Sequence, residues 1–430
     1  MLYVCAGGYA PAVKMSRHNA ALESTASAGS SAVLRQLNSS TVLDVLKRSA
    51  EALRVAEIVE VTGLSRPTVE TVAEGLLEQG WVTVDDPDRE GGGRLGRPAR
   101  RYGFNSRAGF VVGFDIGAHT VAVCIADLRG DSLGSVRRRV SPDLSARRRL
   151  GVAANALADL LRQTRIESSR VLAVTVGTPG TVSPRERRIG KSPGMPGWAE
   201  IDLIAALRER TGFDVELEND ANLAAVGERA RGVAQGCDDM LFLLLGERLG
   251  AGVIANGSLV RGRDGAAGEM GYVPAAAARN RAAELGPLES LVNATALVEL
   301  GRRALAKTDA SRLADLCDGN PDRLTAEAIT VAATEGDAVA TGVLRGQARA
   351  LARGIAPALL TLNSDLLVVG GGLSRGGGLL RELVAAQIRD LLLYPPEVRI
   401  SALGDEAVLA GAIETSIERV ELNVLSKVSA

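Results

Sequence analysis

The chain opens its patterned part with a helical spacing of apolar residues. Val42, Val45 and Leu46 fall at i, i+3, i+4 behind the polar Ser39, Ser40 and Thr41, which predicts an amphipathic helix capped among those hydroxyls. Val55, Ile58 and Val59 predict a second helix. Gly63 ends it, Leu64 supplies an apolar plug in the turn, and Ser65 with Pro67 opens a third helix carrying Val69, Val72, Leu76 and Leu77. A serine there accepts from first-turn amides, and proline lacks only an amide that would have no partner. After Gly80 the period drops to two over WVTVDD, a strand, followed by the acidic, Gly-rich tip DPDREGGG and the basic return RLGRPARRYGFN. Helix, short turn, helix and hairpin read as a winged helix-turn-helix over residues 37–107, behind a loose, Ala- and Ser-rich arm at residues 1–36.

From Phe110 the pattern is α/β. FVVGFDIGAHTVAVCIADLRGDSLGSVRRRV predicts three strands, joined at Gly117, Ala118 and His119 and again at Arg129, Gly130 and Asp131. A helix through Leu150, Ala154, Leu157 and Leu161 and the strand VLAVTVGTPG follow. A second series starts near Met240 with MLFLLLGERLGAGVIANG and reaches the strand LLVVGGG. The design repeats although the sequence does not, which predicts two similar lobes, residues 108–238 and 239–430, with a cleft between them.

Length and composition agree with such a plan. A chain of 430 residues exceeds one ordinary domain at roughly 150 residues each. Apolar residues make up 46% and charged residues 23%, so there is material for a core and no basis for expecting disorder. The net charge of −1 means that any nucleic-acid contact must come from a local basic patch. Four cysteines without CxxC spacing and two histidines argue against a disulfide framework or a Cys/His zinc site. They point to a reducing cytoplasm, and no apolar run is long enough to span a membrane.

Two places carry chemistry. In the first domain the start of the third helix presents Ser65, Arg66, Thr68 and Thr71 to a major groove, and the wing carries Arg94, Arg97, Arg100 and Arg101 for phosphates or a minor groove. The alternative is a three-helix protein-interaction module with solvated arginines. In the second, VELENDANLAAVGE reads as a strand passing into a helix. Asp220 there accepts a hydrogen bond from a ligand hydroxyl or takes its proton; alternatively Asn219 or Asp220 only caps the helix.

DIGAHTVAVCIADLRG, VTVGTPGTV, the ENDAN box, GERLGAGVIANGSLVRG, AGEMGY and VVGGGLS occur in the order seen in the ROK family of repressors and sugar kinases, and from Phe110 onward the chain resembles that family. The N-terminal winged helix matches its repressor branch. The resemblance implies an actin-like ATPase fold of two ribonuclease-H-like lobes, a C-terminal helix returning to the first lobe, and a sugar in the cleft. It implies that Gly180, Asn219, Asp220, Glu269, Tyr272 and Glu289 surround the sugar, with Asp220 as general base where kinase activity survives. Asp115, Gly117, Gly246, Gly250, Gly252, Gly370, Gly371 and Gly372 match the nucleotide loops.

The departures favour a regulator. Tyr272 stands where the family has a zinc-binding histidine, no Cys or His occurs between Tyr272 and Glu289, and Pro287 takes the place of a cysteine, so no structural zinc is expected. The second phosphate loop reads Gly246-Glu247-Arg248-Leu249-Gly250-Ala251-Gly252, and His119 replaces a small hydroxyl residue in the first. A carboxylate 4 Å from a phosphate oxygen costs on the order of 1 kcal/mol even in water, so Mg-ATP is not expected as a cofactor. The resulting expectation is a DNA-binding repressor, dimeric or a dimer of dimers, whose degenerate kinase cleft senses a sugar or sugar phosphate. An ATP-dependent, glucokinase-like sugar kinase that also binds DNA is the alternative.

Overall fold

A computed structural model describes residues 31–85, 100–192, 194–275, 285–307 and 311–428. The described chain falls into two compact units: one takes in residues up to Gly109, Asp127–Arg129 and the end from Glu418, and the other holds Phe110–Ala126 and Gly130–Ile417.

The first unit is a winged helix-turn-helix. Helices α1 (Ser31–Arg48), α2 (Val55–Thr62) and α3 (Arg66–Glu78) pack against a small sheet of β1 (Leu53–Arg54), β2 (Val82–Asp85) and β3 (Arg101–Phe104), in the order β1-β3-β2. Val42, Leu46, Ile58, Val69, Ala73, Leu76, Val82 and Tyr102 form its core. The helix α1 begins at Ser31, inside the stretch expected to be a loose arm. Ser39 and Ser40 therefore do not cap it; they lie in its interior and are buried, while Thr41 Oγ1 donates back to the Leu37 carbonyl. The cap at Ser65 forms as expected, its side chain accepting from the Thr68 amide at 3.3 Å. Ser65→Ala should cost about 1 kcal/mol of first-unit stability, measurable by urea unfolding; an unchanged midpoint would mean that the cap contributes nothing.

The second unit contains two five-stranded sheets. The first has β4 (Phe110–Ile116), β5 (Thr120–Asp127), β6 (Ser132–Arg139), β7 (Val171–Thr178) and β10 (Val215–Asn219), with the hairpin β8 (Val182–Ser183) and β9 (Arg188–Ile189) set apart; helices α4 (Ala146–Thr164) and α5 (Leu203–Thr211) cover it. After α6 (Asp220–Arg231) the second sheet has β11 (Met240–Leu245), β12 (Leu249–Ala255), β13 (Ser258–Leu259), β14 (Leu366–Gly370) and β15 (Glu397–Ile400). The remaining long helices are α7 (Ala294–Leu305), α8 (Ala326–Thr334), α9 (Ala338–Leu362), α10 (Gly377–Arg389) and α11 (Ala407–Val428). The sheet orders β6-β5-β4-β7-β10 and β13-β12-β11-β14-β15 are the same arrangement written twice, an antiparallel edge followed by parallel strands. This is the repeated design that the hydrophobic pattern predicted.

Helices α6 and α11 join the two sheets. Leu223, Ala224 and Ala225 of α6 and Ala407, Val408 and Ala412 of α11 share a core with Met240, Phe242 and Val368 of the second sheet. Toward the first sheet, Ser416 Oγ hydrogen-bonds with Thr175 Oγ1 at 2.7 Å and lies 3.3 Å from the Val112 carbonyl. The helices touch through glycine: a Cβ on Gly411 would stand 1.8 Å from the Leu223 carbonyl oxygen, so no other residue fits without moving backbone. The C-terminal end of α6 is held by Glu228, a fully buried carboxylate that accepts from the Val233 amide, Ser401 Oγ and the Leu403 amide.

Candidate functional site

The parallel strands of both sheets end at one cleft, the place where open α/β sheets carry their ligands. It has a volume of about 1380 Å³. Asp115 comes from the end of β4, Pro179 and Gly180 from the end of β7, Asn219 and Asp220 from the β10–α6 junction, and Gly371 and Gly372 from the turn after β14.

The β10–α6 junction separates the two roles proposed for its polar residues. Asn219 is the cap: its Oδ1 accepts from the Asn222 amide at 3.0 Å and its Nδ2 donates to the Gly180 carbonyl at 3.1 Å. Asp220 is the first residue of α6, takes a hydrogen bond from the Ala221 amide, and lines the cleft. Beneath them Glu218, buried, accepts from the Asn219 amide, Asn222 Nδ2 and Arg261 Nε, which holds the strand end rigid. Trp198, fully buried, donates its indole N–H to Thr178 Oγ1 at 2.7 Å and fixes β7 just before Gly180.

All six expected sugar residues line the cleft, but not equally. Tyr272 is half exposed. Glu289 is turned inward: its Oε1 accepts from the Leu249 amide at 3.0 Å and forms an ion pair with Arg248 Nε at 3.0 Å, and its Oε2 accepts from the Gly286 amide at 3.2 Å. Of the nucleotide-loop residues, Asp115, Gly246, Gly250, Gly371 and Gly372 line the cleft; Gly117, Gly252 and Gly370 do not. Gly252 instead admits α6, since a Cβ there would lie 2.6 Å from the Ala221 carbonyl oxygen. The replacements in the phosphate loops are engaged with one another: His119 Nε2 meets Glu247 Oε2 at 2.8 Å, and Arg248 pairs with Glu289.

Residues that the sequence reading missed bring positive charge. Arg137, Arg139, Lys191 and Arg375 also line the cleft. Arg137 bonds Glu406 and the Asp405 carbonyl and lies 3.9 Å from Asp115, while Arg375 pairs with Asp405. These partners are 22 to 269 residues apart, so no local pattern could have signalled them. The first loop is held from behind by Arg149, a fully buried arginine that donates to the carbonyls of Gly117, Ala118, Ser141, Pro142 and Leu144.

Burial and crowding keep the acids of the cleft protonated unusually high. Asp115 is pushed to about 7, chiefly by burial and then by the charge of Asp220, against the pull of Arg137. Asp220 is pushed to about 6 by burial. Glu269 is raised by burial and by Asp220 and Glu289, with Arg248 pulling it down. An unfolded aspartate titrates near 3.8, so between that value and about 7 the folded protein holds protons the unfolded chain has lost. The associated stability is complete below about pH 4 and is lost as pH rises through 6 and 7. Ligand-free unfolding should therefore show stability falling across that window by on the order of 1–3 kcal/mol, and Asp115→Asn should flatten the fall; a parent profile without it would contradict the assignment.

In the first unit, Ser65, Arg66 and Thr71 are exposed at the start of α3 and Thr68 is partly so. Arg66 pairs with Glu70, and Glu74 on the same helix accepts from both Arg100 Nη1 and Tyr102 OH at 2.8 and 2.9 Å. Arg101 points back to the Ala52 carbonyl, so it is committed to its own domain. Arg94 and Arg97 lie outside the described residues.

The model of the ROK family matches residues 111–418, and an IclR helix-turn-helix domain matches residues 38–86. The chain belongs to the ROK family. Among ROK relatives it is 32% identical over 323 residues to a glucokinase of Thermotoga maritima, covering 72% of this chain and 98% of that protein. It is 23% identical over 391 residues to a xylose repressor of Caldicellulosiruptor bescii, covering 90% and 96%. Of solved structures, a ROK glucokinase from Streptomyces griseus in complex with glucose and AMPPNP aligns with a TM-score of 0.64 at 29% identity over 72% of this chain and all of that one. A ROK transcriptional regulator described as a homolog of the E. coli MLC protein gives 0.77 at 19% identity, over 92% of this chain and all of that one, which extends the shared fold through the helix-turn-helix. The actin-like sugar-kinase fold behind an N-terminal helix-turn-helix is thus the fold of this chain. Among its described residues no helix is long and apolar enough to cross a membrane, and no cluster of three His, Cys, Asp or Glu side chains has the geometry of a metal site.

Proposed function

We propose that this ROK protein is a DNA-binding transcriptional regulator, a repressor, whose cleft binds a sugar or sugar derivative that alters its affinity for operator DNA. One observation carries the reading: a winged helix-turn-helix shares the chain with a kinase-like cleft whose phosphate loop holds a charged pair of residues, Glu247 and Arg248, each paired within the protein. Those pairs fill the loop with side chains where backbone amides would have to approach phosphate, so the residues present do not fit a nucleotide triphosphate. Tyr272 likewise does not fit the family's zinc. What is kept is hydroxyl recognition, with Asp220 and Glu269 as acceptors. The relative named a xylose repressor supports the same combination of DNA and sugar. Linkage makes the two events reciprocal: a sugar that weakens DNA binding is itself bound more weakly on DNA. A homodimer on paired half-sites is the assembly we propose.

The test is selection of bound fragments from the source genome with the purified protein, followed by anisotropy titration of the recovered DNA with and without sugars. A site bound tightly and released by one sugar class is expected; absence of any preferred DNA would end the regulator reading. A second reading, sugar phosphorylation, is supported by Asp220 lining the cleft and by the 32% identity to a glucokinase. A coupled ADP-release assay with Mg-ATP and the same sugars decides it, and turnover abolished by Asp220→Asn would establish it.

A further inference from the structure

Arg248 has changed what the cleft offers at one position. Glu289 is almost fully buried, with 6% of its side chain exposed, and its carboxylate is occupied by two backbone amides that hydrogen-bond to it and by an ion pair with Arg248. A carboxylate has roughly four acceptor directions, so little remains for a ligand hydroxyl. Arg248 itself is 38% exposed and lines the cleft, close enough to Glu269 to act on its charge. At this corner a ligand meets a guanidinium in front of a carboxylate.

We propose that Arg248 sets the ligand class: the cleft takes a sugar that carries an anionic group, a carboxylate or a phosphate, seated on the Arg248 guanidinium, while Asp220 and Glu269 hold its hydroxyls. This rests on the effector reading above. A guanidinium is a planar fork of five donors matched to carboxylate and phosphate oxygens, and charge-assisted bonds to it are stronger than those to neutral hydroxyls. Glu289 is the second half of the device. Its buried carboxylate, fixed by the Leu249 and Gly286 amides, orients Arg248 from behind, as a paired carboxylate does for a binding arginine.

The experiment measures affinity of the full-length protein by calorimetry for three sets of probes: neutral hexoses and pentoses, the corresponding uronic and aldonic acids, and the sugar phosphates, with inorganic phosphate alone alongside. One of the two anionic sets is expected to bind at least tenfold more tightly than its neutral parent sugars, and which set does so names the source of the charge. Arg248→Gln should remove that preference, and Arg248→Lys, which keeps the charge without the fork, should restore part of it; the ligand-free melting temperature of each variant controls for folding. Tight binding of neutral sugars with no gain from the anionic group would overturn this inference and leave the effector reading standing. Inorganic phosphate binding as well as the anionic sugars, or a preference that survives Arg248→Gln, overturns it also. If no carbohydrate of any set binds, the effector reading falls and this inference with it.

Discussion

Asp220→Asn is expected to weaken sugar binding by about a hundredfold while making the ligand-free protein more stable. The substitution keeps the shape and leaves an oxygen for the Ala221 amide, so it removes charge and little else. A hydrogen bond to a charged acceptor contributes about 1.5–3 kcal/mol, and two decades of affinity correspond to about 2.8 kcal/mol. The opposite sign for stability follows from the same burial: holding this carboxyl at about 6 means that ionising it in the fold is unfavourable, and asparagine has no ionised form. Calorimetry and thermal unfolding at pH 7.5 on the same sample test both halves. Asp220 has no role in the ligand site if affinity is unchanged, and a lower unfolding temperature would show that its charge is compensated by groups we have not assigned. Losing binding while gaining stability is the signature of a strained functional residue.

Gly411→Ala should be strongly destabilising, a single methyl group placed in the tightest contact between α6 and α11. The neighbour at 1.8 Å is the Leu223 backbone oxygen, so no rotamer relieves the clash and α11 must move off α6. Overpacking of this kind costs about 3 kcal/mol or more, a fall of roughly 6–12 °C in melting temperature for a unit of this size. Gly346→Ala is the control: it sits on α9, a Cβ there meets nothing within 4 Å, and the helix should gain up to about 1 kcal/mol. If the two variants melted alike, the tight crossing would not be real. Because α6 starts at Asp220 and carries in its last turn Glu228, which is tied to Ser401 and Leu403, a shift of α11 also displaces the cleft acid; Gly411→Ala should weaken sugar binding as well.

What could be read before the structure was mostly local. Gly63, Ser65 and Pro67 announce the turn of the first unit because each acts on its nearest neighbours. The apolar runs separated by glycine-rich turns announced both large sheets for the same reason. The start of α1 was misread because hydroxyls at 39, 40 and 41 resemble a cap, yet packing of Val42, Leu43 and Leu46 buries that stretch and extends the helix back to Ser31. At Asp220 the pattern left two roles open, and only the geometry assigns the cap to Asn219. The pairs His119 with Glu247, Arg248 with Glu289, and Arg149 with the carbonyls of the first loop are products of chain crossing. Nothing at residue 149 distinguishes a buried arginine from the exposed ones at 147 and 148.

The hydrogen bond from Trp198 to Thr178 has a use beyond holding β7. The chain contains two tryptophans, Trp81 and Trp198, and they fall in different units. Trp81, partly buried just past the end of α3, and Trp198, enclosed and bonded to Thr178 two residues before Gly180, are two native fluorophores placed one in each unit of the molecule. In a Trp81→Phe protein the emission comes wholly from the first-sheet core behind the cleft, and in Trp198→Phe wholly from the helix-turn-helix unit. Occupancy of either half is then readable by light, without a label.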